Sequence, residues 1–286
     1  MQKQSYYDAL ILINPLLREL RRLDDKLVLV EVQLLESRVY HALTNQAKAK
    51  AALTSARTSA ASVYTPTGLQ AGLDMQSGML HAEDKDFTTA FSYFIEALEG
   101  YHAQDDVVKA TYALQYMLLC KIMLNLVDDV NSLLASKQAQ KYAGASLEAM
   151  KAVAKAHSNR SLEEYEQALS DYRFELGGDL FIRNHLRRLY DAMLEQNLIK
   201  VIEPFSKVEI GHIASMVGLD TQQVERKLSQ MILDKVIIGV LDQDAGCLIV
   251  YDELERDQGY DAALETIGKL SNVVDVLYTN QASLLE

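Results

Sequence analysis

Tryptophan is absent from this 286-residue sequence, and proline, cysteine and histidine are scarce at 3, 2 and 6 copies. So few prolines remove the strongest helix breaker. A chain carried by alanine, leucine, glutamine and lysine then favours helix, because these side chains lose little freedom there. Cys120 and Cys247 lie far apart and form no CxxC, which excludes a disulfide framework or thiolate zinc site and fits a reducing compartment. His41, His81, His102, His157, His185 and His212 are scattered, with no HExxH and no pairing with cysteine, so no metal-ligand spacing exists. Also missing are GxGxxG, the GxxxxGK phosphate loop and GxSxG, and with them any support for nucleotide binding or serine hydrolysis. The acidic pairs Asp105–Asp106 and Asp128–Asp129 read as helix starts, where carboxylates suit the dipole, and not as an acid and a base. The expectation is a chain with no enzymatic activity and no cofactor.

Positive charge is also short: 28 Lys and Arg against 40 Asp and Glu give a net charge of −12 and a pI near 5.0. That balance disfavours nonspecific attraction to nucleic acid or to an anionic membrane, since both need a positive field. No apolar run reaches the roughly 18 residues that span a bilayer. The best candidate, Tyr116 to Val127, is interrupted by Lys121 and Asn125 and reads as a buried helix. The N-terminal apolar stretch is short, is broken by Pro15 and has no small-residue cleavage site, so no targeting signal is expected. With 49% hydrophobic and 24% charged residues, the composition is that of a soluble, mostly α protein.

What is present begins with residues 81–101. Phe87, Ala90, Phe91, Phe94, Ile95, Leu98 and Tyr101 fall at helical spacing and form one broad apolar face, and Gly100 marks the expected end. Ala90 and Ala97 bracket Phe94, a small–large–small arrangement that lets a neighbouring helix approach closely, as in tetratricopeptide-type (TPR) repeats. Ala49, Leu53 and Ala56 repeat it at an offset of 41 residues, and Ala168 and Tyr172 match Ala90 and Phe94 at 78. Each match follows a polar turn (Thr44–Gln46, Asp84–Asp86, Ser158–Ser161) where an antiparallel helix pair reverses. A right-handed stack of helix pairs is expected, with an irregular helical bundle as the alternative. Ala9, Leu10, Ile13, Leu16, Leu17 and Leu20 begin without a polar capping helix, which predicts an exposed first repeat and a solenoid continuing upstream.

The only Gly-Gly pair, Gly177–Gly178, marks a boundary, followed by a helix from Leu180 to Lys200. This helix carries Arg183, His185, Arg187 and Arg188, the densest basic cluster, read as a solvated or salt-bridged face because no aromatic interleaving accompanies it. Next comes a helix over Val208–Met216 with Gly218 at its left-handed cap. A second helix follows, with Asp220 as N-cap, Gln223 completing a capping box, and Val224, Leu228 and Ile232 facing inward. Two strands, Val236–Leu241 and Cys247–Tyr251, flank a turn. Helix, turn, helix and hairpin form the order of a winged helix. Between Pro204 and Asp252, however, four cations face seven anions, a poor phosphate-binding surface.

The last strand, Leu248, Ile249, Val250 and Tyr251, is expected to leave an edge for a partner strand. Beyond it, Gly259–Leu284 reads as a terminal helix with Ala263, Ile267, Leu270, Val274, Leu277 and Leu284 along one seam, suited to bundling with other helices. The alternative is that its first half folds back on its own domain.

The segments SKVEIGHIASMVGL, VERKLSQMILDKVIIGVLDQ and GCLIVYD closely resemble the winged-helix half of the PCI domain in subunits of the proteasome lid, and NQAKAKAALTSARTSA and DKDFTTAFSYFIEALEGY resemble the helical repeats of that family. The resemblance covers nearly the whole chain. It implies TPR-like repeats over 1–178, the winged-helix part of the PCI domain over 179–252 and a C-terminal bundle helix over 253–286. It further implies a non-catalytic scaffold in ubiquitin-dependent proteolysis, cytoplasmic and nuclear. Its partners would be other PCI subunits through the winged helix and terminal helix, and the ATPase ring and core particle through the repeats, with neither nucleic acid nor membrane. Family members of this type carry more repeats ahead of the PCI module, whereas this sequence starts inside the solenoid, which weakens the implied contact with the core particle. A winged-helix nucleic-acid-binding regulator is the alternative function. An enzyme with an unrecognised site is a third, more remote reading.

Overall fold

Helices joined by turns of a few residues fill most of the computed structural model, which describes residues 5–142, 144–243, 246–251 and 258–282. The order is α1 (Tyr6–Leu23), α2 (Lys26–Ala42), α3 (Gln46–Ala61), α4 (Thr67–Glu83), α5 (Phe87–Ala103), α6 (Val107–Met123), α7 (Val127–Leu134), α8 (Lys137–Lys141), α9 (Ala145–Asn159), α10 (Leu162–Asp171), α11 (Arg173–Gly177) and α12 (Leu180–Ile202). Then follow β1 (Lys207–Glu209), α13 (Ile210–Val217), α14 (Thr221–Leu233), β2 (Gly239–Asp242), β3 (Cys247–Val250) and α15 (Gln258–Ala282). Two compact units, residues 1–196 and 197–286, divide within α12. No described helix is long and apolar enough to cross a membrane.

In the first unit one turn recurs. Thr44, Lys85, Asp105 and Asn125 each adopt a left-handed backbone, with φ of 59°, 68°, 55° and 60°. The next residue's N–H returns to the carbonyl five positions back: Asn45 to Tyr40, Asp86 to His81, Asp106 to Tyr101 and Leu126 to Lys121, at 2.9–3.1 Å. The orphan carbonyls at each helix end are thereby satisfied. Three of these residues then cap the following helix: Asn45, Asp86 and Asp106 accept from the N–H groups of Lys48, Thr89 and Lys109. One three-residue turn closes one helix and starts the next, so antiparallel neighbours follow from local chemistry.

The small–large–small faces pack as the spacing predicts. Ala49, Leu53 and Ala56, like Ala90, Phe94 and Ala97, are buried. The Ser37 hydroxyl of α2 donates to the Ala49 carbonyl of α3 at 2.9 Å. The 78-residue match is out of phase: the cap of α10 is Ser161, not Glu164, and Tyr172 lies beyond the end of α10. Gly100 does not end α5, which runs on to Ala103. A Cβ there would meet that of Ala71 at 2.8 Å, so this glycine serves helix contact and not termination. Pro15 likewise lies inside α1, which continues through it. The 116–127 stretch is the second half of the buried α6 and the turn after it.

In the second unit the sheet order is β1-β3-β2, all antiparallel, with Val208 opposite Leu248 and Leu241 opposite Leu248 on the other side. Val208, Ile210, Ile213, Val224, Leu228, Met231 and Leu248 form its core. Gly218 closes α13 at φ 75°, in the left-handed region where a side chain is strained. Asp220 occupies the N-cap of α14, but its side chain makes no capping hydrogen bond, so the expected capping box does not form. The strand expected from Val236 starts at Gly239, because the Val236 and Ile237 N–H groups are held by the Met231 carbonyl at the end of α14.

Candidate protein-interaction surface

The sheet positions the first group of candidate residues differently from the sequence reading. β3 is the central strand, hydrogen-bonded on both sides, so the expected free edge at Leu248–Tyr251 does not exist. The three-residue β1 covers it, extended by the Val250 N–H donating to the Ser206 carbonyl at 2.9 Å. Leu248 is fully buried, Ile249 and Val250 are half-buried, and Tyr251 is exposed.

The open edges are β1 and β2, and they differ. β1 is short and exposes Lys207 and Glu209, charges that discourage strand addition. β2, among the described residues, has no strand on its outer side, and the segment leading into it alternates around the buried Ile237. Val236, Ile238 and Val240 are all exposed, an apolar stripe along the open edge. The sequence holds no signal for it, because residues 236–240 are nearly all apolar and only the fold separates the buried Ile237 from its exposed neighbours.

The second group lies on α15. Ile267, Leu270, Val274 and Leu277 are 62%, 59%, 61% and 59% exposed along one stripe, with Leu264 and Val273 flanking it on opposite sides. Every described side chain from 262 to 278 is exposed, Ala263 included, so the fold-back alternative for this helix is overturned. Leu284 lies outside the described residues. Glu265 and Lys269, one turn apart on this exposed helix, pair at 2.7 Å.

Recognition helix α14 offers little to a phosphate backbone. Lys227 is buried at 9% exposure, leaving Arg226 as its one exposed cation, between Asp220 and Asp234. Neighbouring Glu225 accepts from the side-chain amide of Gln243 at 2.9 Å.

Reactive groups elsewhere are quenched by burial. Cys120 is buried and its thiol is pushed up to about 12, so it is not a thiolate nucleophile at neutral pH. His185 is fully buried, with burial pushing its imidazole down to about 4. Among the basic residues of α12, Arg183 and Arg187 are solvated and Arg188 pairs with Glu83 at 3.2 Å, whereas His185 turns inward, contrary to the single-face reading. Among the described residues no cluster of His, Cys, Asp or Glu has metal-binding geometry.

Comparison with known proteins places these elements. The PCI domain family matches residues 169–252, and the family described as 26S proteasome subunit RPN6 C-terminal helix domain matches residues 256–282. The chain is 59% identical over 281 residues to the probable 26S proteasome regulatory subunit rpn6 of Schizosaccharomyces pombe, covering 98% of this chain and 67% of that protein. It is 52% identical over 285 residues to the 26S proteasome non-ATPase regulatory subunit 11 homolog of Arabidopsis thaliana, covering 100% and 68%. Against the 26S proteasome regulatory subunit RPN6 of Saccharomyces cerevisiae it is 56% identical over 288 residues, covering 99% and 66%. It thus spans about two thirds of the length of these relatives. With a PCI-type winged helix, an exposed terminal helix and this identity over nearly its whole length, the chain belongs to the RPN6 family of 26S proteasome regulatory subunits.

Proposed function

We propose that the chain is a non-catalytic scaffold of the 26S proteasome regulatory particle lid, acting in ubiquitin-dependent protein degradation in cytoplasm and nucleus. The observation that carries the proposal is the terminal helix: four large aliphatic side chains along one stripe of α15, Ile267, Leu270, Val274 and Leu277, are more than half exposed. Burying such a side chain gains about 1.5–3 kcal/mol, so a helix left this apolar is stabilised by association. Other lid subunits with PCI domains are the partners we assign to it, with the open β2 edge as a second contact. The helical repeats of the first unit are assigned to the ATPase ring and core particle. We divide the roles at residues 1–178, 179–252 and 253–286. A nucleic-acid role is disfavoured by the acidic balance of the winged helix and the burial of Lys227.

Truncation tests this reading. Removing residues 258–286 from the full-length protein should leave the helical content of the remaining chain intact and block its incorporation into the lid, measured by native gel and mass spectrometry of purified particles. Normal incorporation of the truncated protein refutes the role of α15.

A further inference from the structure

A cavity of about 510 Å³ lies within the first unit, lined by residues of α2, α4, α6 and the start of α12. Its wall is apolar and aromatic in part, with Met75, Met79, Tyr112 and Phe181, and carries several charges. The acids among them are already engaged. Glu83 accepts from Gln46 at 3.4 Å and Arg188 at 3.2 Å and lies 3.8 Å from His41. Asp179 accepts from the Tyr116 hydroxyl and, at 2.9 Å, from the Phe181 N–H. Lys109 is held by Asp106 at 2.8 Å.

Arg38 is different. Among the described residues its guanidinium has no hydrogen bond or ion pair, and burial pushes its pKa below the usual arginine range, with only the Tyr101 phenol acting electrostatically on it. Gly72 lies beside it: a Cβ there would sit 3.4 Å from Arg38 Nη2 and 3.3 Å from Leu34. One helical turn along α4 stands Gln76, which lines the same cavity, is 2% exposed and has no partner for Nε2. Rotation about its terminal bond brings either end of the amide to the cavity wall. A half-buried guanidinium and a buried amide nitrogen, neither with an acceptor among the described residues, leave two donors open to an acceptor in the cavity.

We propose that this cavity is a binding site for a carboxylate carried on an apolar or aromatic body. Arg38 offers the two-pronged donor that matches a carboxylate, Gln76 contributes a further N–H, and Met75, Met79 and Phe181 receive the apolar portion. The carboxylate is supplied by a free small acid or by the C-terminal residue of a polypeptide.

The test uses the whole chain with methyl-labelled methionine and follows Met75 and Met79 by NMR during titration with 3-phenylpropionate. Saturable shifts confined to the cavity methionines are expected, with affinity at least tenfold weaker for the isosteric 3-phenylpropanamide. Arg38→Met should weaken the acid at least tenfold without lowering the thermal midpoint, and Arg38→Lys, which keeps the charge and loses the fork, should also weaken it. A peptide ending in Gly-Gly-Phe with a free carboxylate separates the sources: binding like the free acid assigns a polypeptide terminus, and binding of the free acid alone assigns a small molecule. Equal affinity for acid and amide, no shift at millimolar acid, or unchanged affinity in the Arg38 variants overturns the proposal. If Arg38→Met unfolds the chain, Arg38 is structural, and undiminished binding by Arg38→Lys then refutes the site.

Discussion

Replacing His185 with leucine should make the protein less sensitive to acid. The imidazole is fully buried, with ring centroids 4.4 Å from Phe181 and 6.1 Å from Phe87, and neither ring nitrogen has a partner among the described residues. Burial pushes its pKa from 6.5 to about 4; Glu83 opposes the shift, while Arg188 and His41 reinforce it. The folded value is below the unfolded one. As pH falls through 6.5 the unfolded chain therefore takes up a proton that the folded chain refuses, and stability declines until pH reaches the folded value. At about 1.4 kcal/mol per pH unit, the penalty is negligible above pH 7, about 2 kcal/mol at pH 5 and about 3 kcal/mol at pH 4. His185→Leu removes it and also two unsatisfied polar atoms, a change that is neutral or stabilising at pH 7 when shape is kept. Urea unfolding of both proteins at pH 7, 6 and 5 and constant ionic strength measures the difference. The advantage of the variant should grow by about 2 kcal/mol between pH 7 and pH 5. Parallel stability profiles would show that the imidazole takes up its proton as readily in the folded chain as in the unfolded one and would refute the reasoning.

Other substitutions probe the packing and the caps. Gly78→Ala would bring a Cβ to 2.6–2.9 Å from the ring of Phe94, which is fully buried and edge-on to Tyr116 at 5.4 Å. The helix-propensity gain of about 1 kcal/mol should be outweighed by overpacking of about 1–3 kcal/mol, lowering the thermal midpoint. Gly268→Ala in α15 meets nothing within 4 Å, so it should raise helicity by circular dichroism, consistent with a gain of about 1 kcal/mol. Gly218→Ala forces a side chain into φ 75° and should destabilise the second unit by about 1 kcal/mol in urea unfolding.

Much of this architecture was legible because it is written in local chemistry. The polar turns at Thr44–Gln46 and Asp84–Asp86 carry their own caps, and the alanine–large–alanine spacing marks the buried faces. Where the sequence misled, contacts distant along the chain decided the outcome. Gly100 looked like a terminus but makes room for Ala71. β1 has three residues, two of them charged and exposed, too weak a signal to announce a strand. Its pairing nevertheless makes β3 central and transfers the free edge to β2. His185 looked like part of an arginine face because its neighbours are basic, yet helical rotation turns it into the core between Phe87 and Phe181. The seam of α15 was readable from its 3–4 spacing. Its exposure was not, because periodicity marks an apolar face without saying what covers it.

Hydrogen–deuterium exchange of α15, compared between the free protein and the assembled lid, tests the scaffold reading most directly. An exposed helix without tertiary support is marginal in water, so amides of residues 262–278 should exchange rapidly in the free protein. Assembly should slow them at least a hundredfold, with little change in the amides of α4 and α5. Equal exchange of α15 in the two states would contradict the claim that this face is where the subunit is held.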